Sequence, residues 1–436
     1  MTQSPHGRSA VAAAVVLGLT STTGAGVFLG LAPAASVAGR WLLPAVVVAA
    51  LAALCSAFST ADQSRAHPSV EGGYGYIRNQ LGPWPARLGA SAHVLGRAGV
   101  AAALAGMAAA YAFPENRTLV ALLVLVCTGV LSATGVRWSG AVLRLVVLVV
   151  LGVLVLVVIT CFGVAPPPAP AAAPVDEGFT SFMAVAGIMF VAFSGFERIT
   201  APLRGDPVHS VRALRVAIPV LITTTLVTTL AVAAAVRHQL GSARLALSPA
   251  PLRDALLAAD GGWLVPLVRF GAVVAALAVL TPVLGGLRRT LGGLASNGDL
   301  PVRLAPAAGG RAPALDVLGG AAVAVVVLLV PPATALAIGA CGTLFYYAFT
   351  NASARLLLHE DRTWPMRTAC AGLGLSVLLA MSAPVAALLT TVVTMVVGTA
   401  LLGLGGRIGA RARAKKVPPR ESRTSDSRDG DFLMQE

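Results

Sequence analysis

Charged residues are scarce in this sequence. Only 11% of its 436 residues are Asp, Glu, Lys or Arg, where soluble globular chains carry about 25%. Hydrophobic residues make up 56%, for a mean hydropathy of +0.82. A chain this long and apolar would leave a large hydrophobic surplus facing water, which excludes a soluble enzyme. No polar block of domain size precedes residue 407, so no sizeable soluble domain is expected. Lysine is almost missing, with two residues against 30 arginines. The arginines are scattered singly between apolar runs, so the net charge of +14 marks loops that orient in a membrane rather than a nucleic-acid face. The five cysteines (Cys55, Cys127, Cys161, Cys341, Cys370) lie far apart in apolar stretches with no C-x-x-C pair and read as small buried side chains. The six histidines (His6, His67, His93, His209, His238, His359) are too dispersed for a metal cluster or a paired base. Neither a metal, a cofactor nor an intramembrane enzyme is therefore expected. The lack of G-x-x-x-x-G-K-[ST] excludes ATP drive within the chain.

What the sequence does have is apolar runs near the length of about 20 residues that a membrane-spanning helix needs. There are twelve, at 9–33, 42–64, 83–113, 118–136, 142–164, 179–203, 212–236, 263–292, 314–330, 333–356, 367–382 and 384–406. The fold expected is all-α and polytopic, and an even count puts both termini on one side. The first run continues through GAGVFLGLAPAASVAG without a convincing cleavage site, so it reads as a retained helix rather than a signal peptide. If the N-terminus is inside, the inner segments hold 25 Arg and Lys and the outer segments five. That bias places both ends in the cytoplasm of a multi-pass cell-membrane protein. Residues 1–8 then form a cytoplasmic N-terminus, and APPPAPAAAPVDEG (165–178) is a stiff Pro/Ala-rich outer loop. Residues 407–436 form a basic cytoplasmic tail expected to be disordered.

Two of these runs are interrupted. TSTTGAGVFLG (20–30) carries Gly24 and Gly26 around Ala25, after four hydroxyl residues ending at Thr23. FVAFSGFERIT (190–200) carries Ser194 and Gly195 beside Glu197. Glycine weakens a helix by about 1 kcal/mol, and backbone freed inside a membrane must face protein or a water-filled cavity. Gly24 and Gly195 are 171 residues apart, with five helices counted from each, which suits two inverted five-helix repeats. Paired breaks of this kind point to a central site, where half-helix amides meet an anion and unwound carbonyls meet a cation. The competing reading of these glycines is close helix packing.

At these residues the sequence resembles the amino acid-polyamine-organocation superfamily of permeases. The likeness recurs in order through GAGVFLG, ADQSRAHPSVEGGYGYIRNQLGPWPARLGA (61–90), FVAFSGFE, RRTLGGLASNGDLPVRLAPAAGGRAPALD (288–316) and GTLFYYAFTNASARLLL (342–358). It implies five plus five inverted helices, 9–164 and 179–356, with two more helices in 367–406 and breaks in helices one and six. It also implies an alternating-access permease for an amino acid or related amine. The substrate carboxylate would meet amides near Gly24, Ala25 and Gly26, with Thr23 close by. The ammonium would meet carbonyls near Phe190, Ala192 and Phe193 beside Ser194 and Gly195, and Phe193 or Phe196 would serve as a gate. The sequence departs from some relatives in carrying Val150 where they place a lysine, and it lacks their acidic pair after the sixth helix, reading APLRGDP (201–207) instead. The expected partners are the substrate, the lipid bilayer and protons, with no nucleic acid.

Charges inside the membrane cost at least about 2.5 kcal/mol each and call for a partner or a cavity. Arg97 lies roughly 21 Å into the third run at 1.5 Å per residue, too deep to reach the interface easily. It is expected near the central site or paired with Glu197; the alternative is a structural ion pair at the bundle edge. Glu197 is a candidate coupling carboxylate, the alternative being a vestibule charge. His93, one turn before Arg97, reads as packing, and Asp62, Arg65 and His67 read as an inner-interface group. An exchanger and a non-transporting membrane sensor remain open alternatives to a proton symporter.

Overall fold

The computed structural model describes residues 5–23, 25–68, 71–134, 138–168, 178–203, 207–306 and 312–414. Among these there are helices and no strands. The first apolar run becomes α1 (Pro5–Thr22) and α2 (Ala25–Ala38), and the second becomes α3 (Leu42–Ala66), followed by the short α4 (Gly73–Leu81). Then come α5 (Pro83–Ala112), α6 (Arg117–Thr134) and α7 (Gly140–Gly163). The sixth run is split into α8 (Phe179–Phe190) and α9 (Glu197–Thr200), with a 3-10 turn at Ser194–Phe196 between them. The chain continues as α10 (Val211–Leu247), α11 (Pro251–Ala258), α12 (Val265–Ser296), α13 (Pro313–Leu329), α14 (Pro332–Ala354), α15 (Met366–Met381) and α16 (Val385–Ala414).

Each of the twelve apolar runs is thus a helix or a broken pair. Nine helical stretches among the described residues are long and apolar enough to cross a membrane, and Ser9–Thr22, Pro313–Leu329 and Met366–Met381 are shorter apolar helices. One of the nine, Gly26–Ala66, has 41 residues, about 60 Å at 1.5 Å per residue. That is twice the hydrocarbon thickness of about 30 Å, and the stretch is in fact α2 and α3 folded back at a turn over Gly39–Trp41. Helix starts follow local chemistry. Pro83 opens α5 behind Gly82 at φ 91°, where a missing N–H costs nothing. The Ser139 and Ser210 hydroxyls accept the amides of Val142 and Ala213, each at 3.3 Å, to cap α7 and α10.

One expected boundary is corrected. The apolar pattern starts the tail at 407, yet α16 continues to Ala414. The stretch RIGARARA (407–414) is rich in alanine and arginine, which are good helix formers. The tail beyond 414, residues 1–4, positions 204–206 of APLRGDP and most of the 165–178 loop (169–177) lie outside the described residues.

At the centre stands α5, buried over most of its length. Its Gly96 and Gly99 meet Gly339 and Gly342 of α14 so closely that a Cβ on Gly99 would sit 2.8 Å from the Gly339 Cα. Such small-residue contacts hold helices together in lipid, where no hydrophobic force does so. This contact fixes Arg97, between the two glycines, at the middle of the bundle. The outer helices carry the lipid-facing surface, with Leu148 of α7 at 69% and Leu401 of α16 at 63% exposure. The N-terminal part of the bundle packs reciprocally against the middle: α1 and α2 lie on α10, and α8 lies on α3 and α2.

Candidate functional site

The two breaks meet. A Cβ on Gly26 would collide with the Cα and Cβ of Ala192, and one on Gly195 would collide with the Ser21 carbonyl. Glycine at these positions is what lets the α8–α9 junction touch α2 through Gly26 and the end of α1 through Ser21. The second break is tighter than an unwound segment. The amides of Val191, Ala192, Phe193 and Ser194 donate to the carbonyls three residues back at 3.0–3.4 Å, and the Phe196 amide donates to the Phe193 carbonyl at 3.3 Å. The Phe190 and Phe193 carbonyls therefore each keep only a second lone pair for any ligand. Ser194 Oγ donates to the Val191 carbonyl at 3.0 Å. In the first break the Thr23 amide reaches the Leu19 carbonyl at 2.8 Å, and Thr23 Oγ1 is buried without a hydrogen-bond partner among the described residues. Gly24 lies outside the described residues, as does the Ala25 side chain.

Beside the breaks is a cavity with about 50 Å³ of space for water-sized molecules, running from mid-bundle toward the end that carries α4. Ser21, Ser194, Gly195 and Glu197 line it from the breaks, with Arg97 and Val100 of α5, Gly286 and Arg289 of α12, and Tyr346 of α14 opposite. Arg97 Nη2 donates to Glu197 Oε2, forming an ion pair between the third and sixth spans. Both groups are largely buried, with side-chain exposures of 10% and 17%. Arg97 Nε donates to His93 Nε2 at 3.4 Å, and the His93 ring lies 4.0 Å from that of Tyr346. A Cβ on Gly286 would lie 3.5 Å from Arg97 Nε, in ordinary van der Waals contact, so the guanidinium lies against the α12 backbone. Glu197 Oε1 is buried with no hydrogen-bond partner among the described residues. Phe193 and Phe196 are fully buried. Phe190 and Phe196 both pack on Tyr347, at ring distances of 5.4 and 5.2 Å.

A second, larger cavity of about 570 Å³ indents the opposite end, where α11 lies. Phe28 and Ala32 of α2, Gly106 of α5 and Pro332 of α14 line it, with Leu247 and Leu329 at its edge. Phe28 stacks edge-on against Tyr111, rings 5.5 Å apart, and the Tyr111 hydroxyl accepts the Leu252 amide of α11 at 3.2 Å. Gly106 is nine residues beyond Arg97, about 14 Å along α5, so one helix faces both cavities.

Of the residues singled out from the sequence, Arg97, Glu197, Ser194 and Gly195 line this one cavity, together with Glu71, Arg289 and Tyr346, which the sequence reading did not single out. Glu71 is visible as one of only 18 acidic residues in the chain, immediately before the paired glycines. Asp62 does not join this group. It accepts the amides of Thr363 and Trp364 at 2.8 and 3.2 Å, ahead of α15. Arg65 donates to the Asp361 carbonyl, and His67 bonds Gln80.

A bundle of apolar helices around a paired charge, with a cavity at each end, defines a polytopic membrane protein of the transporter class. Residues 10–408 match the family described as amino acid permease, and the chain belongs to that family. It is 36% identical over 404 residues to proteins named as uncharacterized transporters in Mycobacterium bovis and in two Mycobacterium tuberculosis strains. The match covers 92% of this chain and 91% of each of them. This protein is a multi-pass membrane transporter.

Proposed function

We propose that this chain is a secondary active transporter that carries an amino acid or a related amine across the cytoplasmic membrane by alternating access, coupled to protons. The observation that carries the reading is the Arg97–Glu197 pair at the meeting point of two helix breaks, with a cavity reaching toward it from one end and another indenting the opposite end. Breaks in paired helices supply backbone groups to a substrate at the membrane midplane. The proposed contacts are Thr23, Gly24, Ala25 and Gly26 for the carboxylate and Phe190, Ala192, Phe193, Ser194 and Gly195 for the ammonium, with Phe196 against Tyr347 as a gate.

The reciprocal packing of α1 and α2 on α10, and of α8 on α3, supports two interlocked repeats over 9–164 and 179–356, with 367–406 appended. The arginine bias supports a cytoplasmic α4 end. Val150 of α7, 1% exposed in an apolar core, supplies no lysine for coupling, so Arg97 and Glu197 are the coupling groups of choice.

The test is uptake of a radiolabelled amino acid mixture by purified protein in liposomes, with and without an inward proton gradient, against Gly26→Leu. Gradient-driven accumulation that Gly26→Leu abolishes is expected. Uptake that appears only with internal amino acid would make the protein an exchanger, and saturable binding without uptake would make it a sensor.

A further inference from the structure

We propose that the substrate's carboxylate, held at the first break whose Ser21 lines the same cavity as Arg97, also displaces Glu197 from Arg97 and that the released Glu197 takes up one proton, so this ion pair both selects carboxylate-bearing substrates and couples them to protons. The inference rests on the reading that the chain carries an amino acid.

Room is the first argument. About 50 Å³ holds a few waters and no amino acid, so a substrate entering here must take a place that a protein group now fills. Arg97 is the fixed member of the pair. Its helix is locked by the glycine contacts with α14, and its Nε is held by His93. Glu197 is the movable member, on the four-residue α9 just past the break at Gly195, with one carboxylate oxygen bound to Arg97 and the other unpartnered among the described residues. A competing carboxylate has one guanidinium to win and one carboxylate to expel.

Charge is the second argument. A buried carboxylate that loses its cation is costly to keep ionised, and protonation relieves it. The other charged or titratable groups around Glu197 do not offer the same exchange. Arg97, Arg198 and Arg289 remain cationic at any physiological pH, and His93 already accepts from Arg97. The Tyr346 and Tyr347 phenols start protonated, and Glu71 is tied to Asn297 at 2.7 Å at the mouth of the cavity.

The proton balance closes. In the empty site the Arg97⁺–Glu197⁻ pair is neutral. The loaded site holds Arg97⁺ against the substrate carboxylate and a neutral Glu197 that has bound one proton from solution; the proton leaves when Glu197 returns to Arg97. An amine without a carboxylate has nothing to offer Arg97 and leaves the pair closed.

The experiment uses full-length protein in liposomes with an entrapped pH dye. It applies an equimolar radiolabelled L-amino acid mixture, with the matching decarboxylated amines as competitors and protein-free liposomes as control. The expected result is lumen acidification that tracks labelled uptake, with no inhibition by excess amines. Glu197→Gln is expected to keep measurable exchange of label while losing both the proton movement and the dependence on pH. Arg97→Gln is expected to lose uptake. The Arg97→Gln, Glu197→Gln double variant, which leaves no unpaired buried charge and whose folding is checked by its elution as a monodisperse species, is expected to lose it too. Proton movement persisting in Glu197→Gln, amines competing as well as amino acids, or transport by the double variant would each overturn the inference while leaving amino acid transport standing. A wild-type protein that takes up amines but no amino acid would overturn this inference alone, and one that takes up neither would overturn the functional reading and this inference with it.

Discussion

Gly26 and Gly195 show how much of this site depends on side chains being absent. At each, an added Cβ would run into the backbone of the opposing break, which cannot swing aside as a flexible side chain does. Added volume in a packed interior costs about 1–3 kcal/mol. Gly26→Ala and Gly195→Ala are each expected to lower the thermal stability of the purified protein by that order. Gly129→Ala and Gly152→Ala, in helix interiors where nothing lies within 4 Å, are expected to leave stability unchanged or raise it by up to about 1 kcal/mol, the helix-propensity difference between glycine and alanine. Equal melting temperatures for all four variants would remove close approach as the reason for glycine at the breaks. The sequence announces these glycines as helix weakeners. Their second role, contact between segments some 170 residues apart, needs the fold.

Beyond the breaks, the short helix α4 is clamped to the far end of α12. Asp299, 3% exposed, accepts from Tyr74 Oη at 2.8 Å and from Arg87 at 2.8 and 3.1 Å, with Arg78 at 3.6 Å. Gly405 and Gly406 of α16 close over it. Beside this anchor, Glu71 accepts from Asn297, and burial pushes its carboxyl above the usual range, opposed in part by Asn297 and Arg78. A carboxyl raised in the folded state binds more protons folded than unfolded between its ordinary value and the raised one. Stability therefore falls as pH rises through that window. Glu71→Gln removes the titration and can still accept from Asn297. Its stability in detergent is expected to match wild type at the acid end of the window and to exceed it by less than about 1 kcal/mol toward neutral pH. A difference independent of pH would show that the Glu71 carboxyl is not perturbed. The clamp is illegible in the sequence, because Tyr74, Arg87 and Asp299 belong to three separate elements and no periodicity links them. The helices themselves are legible, since each apolar run is a direct consequence of membrane thickness. The 3-10 tightening at 191–196 is not, because the same Ser-Gly pair permits either full unwinding or a tightened turn.

For the whole molecule, the paths of the helices and the distribution of arginine make one joint claim. The chain order sets α4 and the turn at His359–Asp361 at one end, and α11 and the turn at Pro114–Asn116 at the other. The arginine bias then says which end is inside. Glu115 and Glu360 are both exposed and lie at opposite ends, so they report orientation without disturbing packing. In a background with the exposed Cys127 and Cys370 changed to alanine, Glu115→Cys is expected to react with a membrane-impermeant maleimide on intact cells. Glu360→Cys is expected to react only after the membrane is opened. The opposite pattern would invert the protein and place the smaller cavity, with Arg97 and Glu197, toward the exterior. The state described here would then be outward-open, and the proton that Glu197 is proposed to release would leave with the substrate on the outside; co-transport would stand, but the cavity that empties into the cytoplasm would be the larger one, lined by Phe28 and Gly106.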